Sequence, residues 1–118
     1  MSTGQSVVYH LALAGEWQEA LSTGRAYSVS TRGRALAEVG FVHCAFAHQV
    51  GAVAGRFYAD RDDLVVLAID PSATGAELVV EGVPGTDEVF PHIYGPVPLT
   101  AVVSATPRDG AGPAPVCS

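Results

Sequence analysis

An α+β domain is what this sequence predicts, on three observations. β-rich runs and helical stripes follow the order strand, helices, strand, helix, then strands, which is not the strict alternation of a parallel α/β sheet. The 118 residues suit one domain with one core. Hydrophobic residues make up 48% and charged residues 15%, a balance that folds rather than staying disordered.

Residues 7–11 (VVYHL) are short and β-rich, so they read as a strand. Alternation sets Val7, Tyr9 and Leu11 on one face and Val8 and His10 on the other. Residues 15–23 read as a helix with Trp17, Ala20 and Leu21 inward and Gly24 as its terminator. Residues 31–39 read as a second helix, stopped by Gly40. Residues 41–45 (FVHCA) form a strand with Phe41 and His43 on one face and Val42 and Cys44 on the other. From Phe46 the period lengthens: Phe46, Val50, Val53 and Phe57 make a helical stripe. Residues 64–70 (LVVLAID), 77–81 and 99–105 read as further strands. Residues 90–98 (FPHIYGPVP) hold His92 and Tyr94 among three prolines and a glycine. Proline fixes φ and donates no N–H, so a stiff loop is expected there rather than a helix or a central strand. One domain, 1–118, follows, with its core at about 7–106 and a Pro/Gly/Ala-rich flexible tail from 107.

Composition excludes several functions. Formal charge is −6, from twelve acids against six arginines, which disfavours tracking a nucleic acid duplex but leaves room for a local phosphate pocket. No apolar run approaches the ~20 residues that cross a bilayer. The start of the chain lacks a secretory pattern, so a cytoplasmic protein with no membrane partner is expected. Lysine is absent, which rules out a Schiff base and a P-loop, and neither GxGxxG nor Gly-x-Ser-x-Gly occurs. Asparagine is also absent, a bias that fits a high-GC bacterial genome. Cys44 and Cys117 make neither a disulfide framework nor a thiolate zinc site.

The reactive inventory is four histidines. His48 lies off the helical stripe and is expected in solvent. One buried histidine is ordinarily satisfied by a single partner. Three of them, His10, His43 and His92, each costing desolvation, suggest a site. Converging, they would form either a three-histidine metal centre or a neutral donor and acceptor set for a ribose, amide or phosphate. No local metal-binding spacing occurs, so no residue is assigned as a metal ligand. His43 and His92 are the candidate acid and base. His10, Tyr94, Arg56 and Glu81 are the candidate ligand contacts.

Taken together, YH at 9–10, GFVHC at 40–44, LVVLAIDP at 64–71 and FPHIYGPVPLTAVV at 90–103 resemble a bacterial family catalogued as domain of unknown function nine-five-two, over roughly residues 7–107. The resemblance implies a fold similar to the ADP-ribosyltransferases: a split, bent sheet clasping a nicotinamide dinucleotide, with about three short helices. By that likeness His10 holds a ribose hydroxyl. FVHCA resembles the His-Val-His-Leu-Ser strand of the RNA 2′-phosphotransferases, with Ala45 where a small hydroxyl residue is usual. The late glutamate of those transferases has no match in 90–103, so Glu81 or Glu88 substitutes only if the fold brings one into the cleft. The expectation is a cleft with His10 and His43 as floor and His92 and Tyr94 as wall. It would take a nucleotide- or NAD-like small molecule, with turnover at a ribose left open and the cofactor NAD or another nucleotide. The alternatives are a three-histidine metal-dependent enzyme and a catalytically inactive binding or structural module.

Overall fold

The computed structural model describes residues 7–31, 34–60, 62–82 and 87–108. Its elements in chain order are β1 (Val8–Leu13), α1 (Ala14–Thr23), β2 (Val29–Thr31), β3 (Arg34–Ala35), α2 (Leu36–Val39), β4 (Val42–His43), α3 (Val50–Phe57), β5 (Leu64–Ile69), β6 (Glu77–Gly82), β7 (Val89–Tyr94) and β8 (Val102–Arg108).

The apolar run of β5 is the middle strand of an antiparallel sheet ordered β1-β5-β8. All six of its side chains are buried because hydrophobic clusters lie on both faces. Val65, Leu67 and Ile69 join Val8, Ala12, Trp17, Ala20 and Tyr27 on one side. Leu64 and Val66 join Leu11, Val50, Val53, Ala54 and Phe90 on the other. Helix α1 therefore covers one face and α3 the opposite one. The single core expected from the sequence is divided in two by the sheet. Each fully buried Leu or Ile contributes roughly 1.5–3 kcal/mol relative to exposure, so β5 anchors both halves.

The second sheet, ordered β4-β7-β6, corrects the expected loop at 90–98. Residues 89–94 are its central strand, paired with β6 over six positions and with β4 over two. Pro91 fits because of where its missing N–H falls. Cys44 N–H donates to the Pro91 carbonyl at 3.0 Å, so the backbone edge of Pro91 faces β4 and not β6. The lost donor falls where the short β4 ladder ends, while the β6 ladder runs on uninterrupted. Gln49 pins the same strand: its side-chain oxygen accepts from Phe46 N–H, and its Nε2 donates to the Val89 carbonyl, both at 2.9 Å.

Beyond β4 the chain crosses to the first sheet. Tyr9 and Ala45 exchange two backbone hydrogen bonds, at 2.8 and 2.7 Å, in one isolated bridge. Among the described residues, the two three-stranded sheets thus meet edge to edge at this one bridge.

Other expectations shift locally. Residues 31–39 are not one helix: β2 and β3 pair as a hairpin and only Leu36–Val39 is helical, ended by Gly40 at φ 104°. The third helix opens with a 3-10 turn at Ala47–Gln49, and residues 99–105 open with one at Leu99–Ala101 before β8. Helix α1 ends at Gly24, φ 73°, as expected, but Leu21 is exposed. Strand β8 runs through Pro107 to Arg108. The rest of the expected tail, Cys117, Arg32 and the Phe57 side chain lie outside the described residues.

Candidate functional site

The β4–β7 pairing builds the site. His43 and His92 are directly opposed, and the Cys44-to-Pro91 bond one step away makes theirs the close, non-hydrogen-bonded kind of pair. Their side chains leave the sheet on the same face, and His43 Nδ1 lies 3.1 Å from His92 Nε2. His92 Nδ1 lies 2.6 Å from Glu81 Oε1, which also accepts the Tyr94 hydroxyl at 2.6 Å. Phe41 closes the group from outside. Its ring stacks on His92 with centroids 4.0 Å apart and planes 15° from parallel, and it tilts against Tyr94 at 5.4 Å. Phe90 tilts against His43 at 5.3 Å.

Protonation follows from the partners. Hydrogen bonds from Tyr94, then His92, hold the Glu81 carboxyl below its ordinary range. An ionised carboxylate only accepts, so His92 donates through Nδ1. When His92 carries that one proton, it accepts at Nε2 and His43 supplies the proton from its own Nδ1. This leaves His43 Nε2 with a bare lone pair. Burial, and next the neighbouring His92, lower the His43 pKa to about 4, so its ring is neutral at physiological pH. The Tyr94 hydroxyl is pushed up by its bond to Glu81, by desolvation and by the charges of Glu81 and Glu77.

Four of the six residues expected in the site are thus joined by side-chain hydrogen bonds: His43, His92, Glu81 and Tyr94. His10 was expected on the floor of the same cleft; it is 1% exposed in the core, and each ring nitrogen has an internal partner. Nδ1 donates to the His43 carbonyl at 2.6 Å, and Nε2 accepts from the Tyr27 hydroxyl at 2.9 Å. The cause is topological. His10 shares its strand face with Val8 and Ala12, which point into the α1 side of the core. Where the sheets diverge after the Tyr9–Ala45 bridge, its ring takes the β4 carbonyl that a continued ladder would have used. Burial lowers the His10 pKa to about 4 and raises that of Tyr27, which fixes both in these roles. Arg56 is exposed in the last turn of α3.

A three-histidine metal centre needs His10 as a ligand, and its nitrogens are engaged. Among the described residues no group of three or more His, Cys, Asp or Glu is disposed to hold a metal. Cys44 is buried, and desolvation pushes its thiol up, so it is not a thiolate nucleophile.

Two contributors were missed from sequence. Phe41 shares a strand face with His43, so alternation could have nominated it. Tyr27 could not be found that way. It lies between elements, held by a backbone bridge to Val97, and only the folded chain brings it to His10.

Fold and site define an α+β protein of two three-stranded antiparallel sheets and a β2–β3 pair, with a carboxylate–imidazole–imidazole chain along one of the larger sheets. Residues 11–105 match the family described as Protein of unknown function (DUF952), and the chain belongs to that family. The matched span starts just after His10. The crystal structure of CC0527 from Caulobacter crescentus is similar, with 24% identity, a TM-score of 0.73, and coverage of 86% of this chain and 85% of that one. Its solution NMR structure gives 27% identity, a TM-score of 0.70, and coverage of 87% and 84%. These likenesses are of fold. No curated protein matches.

Proposed function

We propose that this protein binds a nucleotide- or NAD-like small molecule against Phe41, His43, His92 and Tyr94, on a fold of the ADP-ribosyltransferase type. The observation that carries the reading is the Glu81–His92–His43 chain, which holds one imidazole in one tautomer with an acceptor nitrogen left over. Packing alone gives no reason for it, since apolar side chains would fill the same space without desolvating two rings. Phe41 and Tyr94 keep partly exposed rings at the same place, on which a planar base stacks. Two antiparallel sheets meeting at one bridge agree with the split, bent sheet of that fold type. Glu81 supplies an acidic group late in the chain, acting through His92.

Binding is the primary role in this reading, because burial makes His43 a weak base. If transfer or hydrolysis at a ribose also occurs, His43 Nε2 takes the proton of a hydroxyl or water, whose bonding electrons stay on oxygen. The Nδ1 proton passes to His92 Nε2, so the positive charge rests against Glu81.

The test is an NMR titration of isotopically labelled protein with NAD, adenosine and ADP-ribose. At least one is expected to shift the resonances of Phe41, His43 and Tyr94, with the ligand recovered unchanged. Release of nicotinamide from NAD that disappears in His43→Ala marks turnover in addition. If none of the three moves these resonances, the reading fails.

A further inference from the structure

The nucleotide reading leaves open which end of such a molecule meets the histidines, and the site's own donors and charges bear on that. His43 presents a lone pair at Nε2. Glu81 is ionised and about a third exposed, and its bonds to His92 and Tyr94 both fall on Oε1, so among the described residues Oε2 stands as a further acceptor. The proton of Tyr94 is committed to Glu81. The charges felt by Tyr94 are those of Glu81 and Glu77, both negative. Of Tyr94 and His92, the two side chains that bond Glu81, only His92 can carry positive charge, and it is stacked beneath Phe41. Acceptors and carboxylates therefore line the face, beside two aromatic rings.

We infer that this face takes the uncharged base-and-ribose end of its ligand, through N–H or O–H donors to His43 Nε2 and Glu81, and keeps phosphate away. The inference rests on the proposed nucleotide-binding function and narrows it. A phosphate here meets acceptors that have nothing to donate and a carboxylate of its own sign. The base finds rings to stack on and acceptors for its amino and hydroxyl groups. Phosphates, where the ligand has them, lie away from Glu81.

The test compares adenosine with AMP by calorimetry on the intact protein, with NMR shifts at His43 and Tyr94 confirming the place. Adenosine is expected to bind more tightly, by roughly fivefold at low salt, the scale of one partly screened like-charge pair. That gap should shrink as salt is added. Glu81→Gln, which keeps an acceptor for His92 but removes the charge, should close most of it. Tighter binding of AMP at these residues overturns the inference and leaves nucleotide binding standing. So does a gap that Glu81→Gln leaves unchanged. Absence of any shift with either probe, or with NAD or ADP-ribose, overturns the inference and the nucleotide reading together.

Discussion

Acidification should destabilise this protein before its carboxylates begin to titrate, and His10 should be a main cause. Its pKa falls from 6.5 in the free chain to about 4 in the fold, chiefly through burial. Below 6.5 the unfolded chain therefore takes a proton that the native state refuses. Stability falls with pH in that window, by about 1.4 kcal/mol per pH unit for each such group. The loss levels off below about 4, where native His10 protonates too. Between 6.5 and roughly pH 5, His10 alone removes roughly 2 kcal/mol. His43, lowered to about the same value, adds a smaller amount because it is less completely buried. Against the ~5–15 kcal/mol typical of a whole domain, the combined effect is large. Glu81 acts in the opposite range: its stabilisation is full above its ordinary 4.5 and is lost only as pH falls through its depressed folded value. Urea unfolding followed by circular dichroism at a series of pH values from roughly 7 to 5 reads the slope, provided m stays constant. His10→Gln retains a donor but cannot titrate, and should reduce the slope by an amount that grows towards about 1.4 kcal/mol per pH unit as pH approaches 5, whatever it does to absolute stability. A midpoint that ignores pH across this window, or a variant with the wild-type slope, refutes the reasoning.

Two other outcomes follow from single contacts. Gly95→Ala places a Cβ 2.7 Å from the Cβ of Ala76, just beyond the Glu77–Tyr94 pair that ends the β6–β7 ladder. It should cost about 1–3 kcal/mol by overpacking, most of it recovered when Ala76→Gly is added, as measured by thermal unfolding of the single and double variants. Glu81→Gln should let the Tyr94 phenol ionise at lower pH, since the bond to Glu81 is the first cause of its raised pKa. Tyrosinate absorbance titrations with and without Tyr94→Phe assign the change, and an unmoved Tyr94 transition contradicts the shared-oxygen geometry.

Much of the fold was legible along the chain because periodicity is a local property. Strands β1, β5 and β6, helix α1 and its Gly24 end, and the face shared by Phe41 and His43 all follow from alternation or helical spacing over a few residues. Pro91 misled for a local reason. A proline argues against a central strand only when the N–H it lacks is needed, and that depends on which neighbour its edge faces. Here the gap falls at the end of β4, a pairing between residues about fifty positions apart. The hairpin at β2–β3 was lost to an apparent helical stretch for the same reason, since pairing partners leave no mark in a short window.

The histidines divide along that line. Residue type alone nominated His10, His43 and His92 as costly to bury, and strand alternation put His10 on the face of Val8. Only the tertiary structure decided that two of them would share a proton chain with Glu81 while the third became a strut. Register sets His43 opposite His92, and the divergence of the two sheets leaves a carbonyl for His10. A chain written in residues specifies which groups need partners. Which partner each one gets is chosen by strand pairings that close long loops, and no short stretch of sequence contains that information.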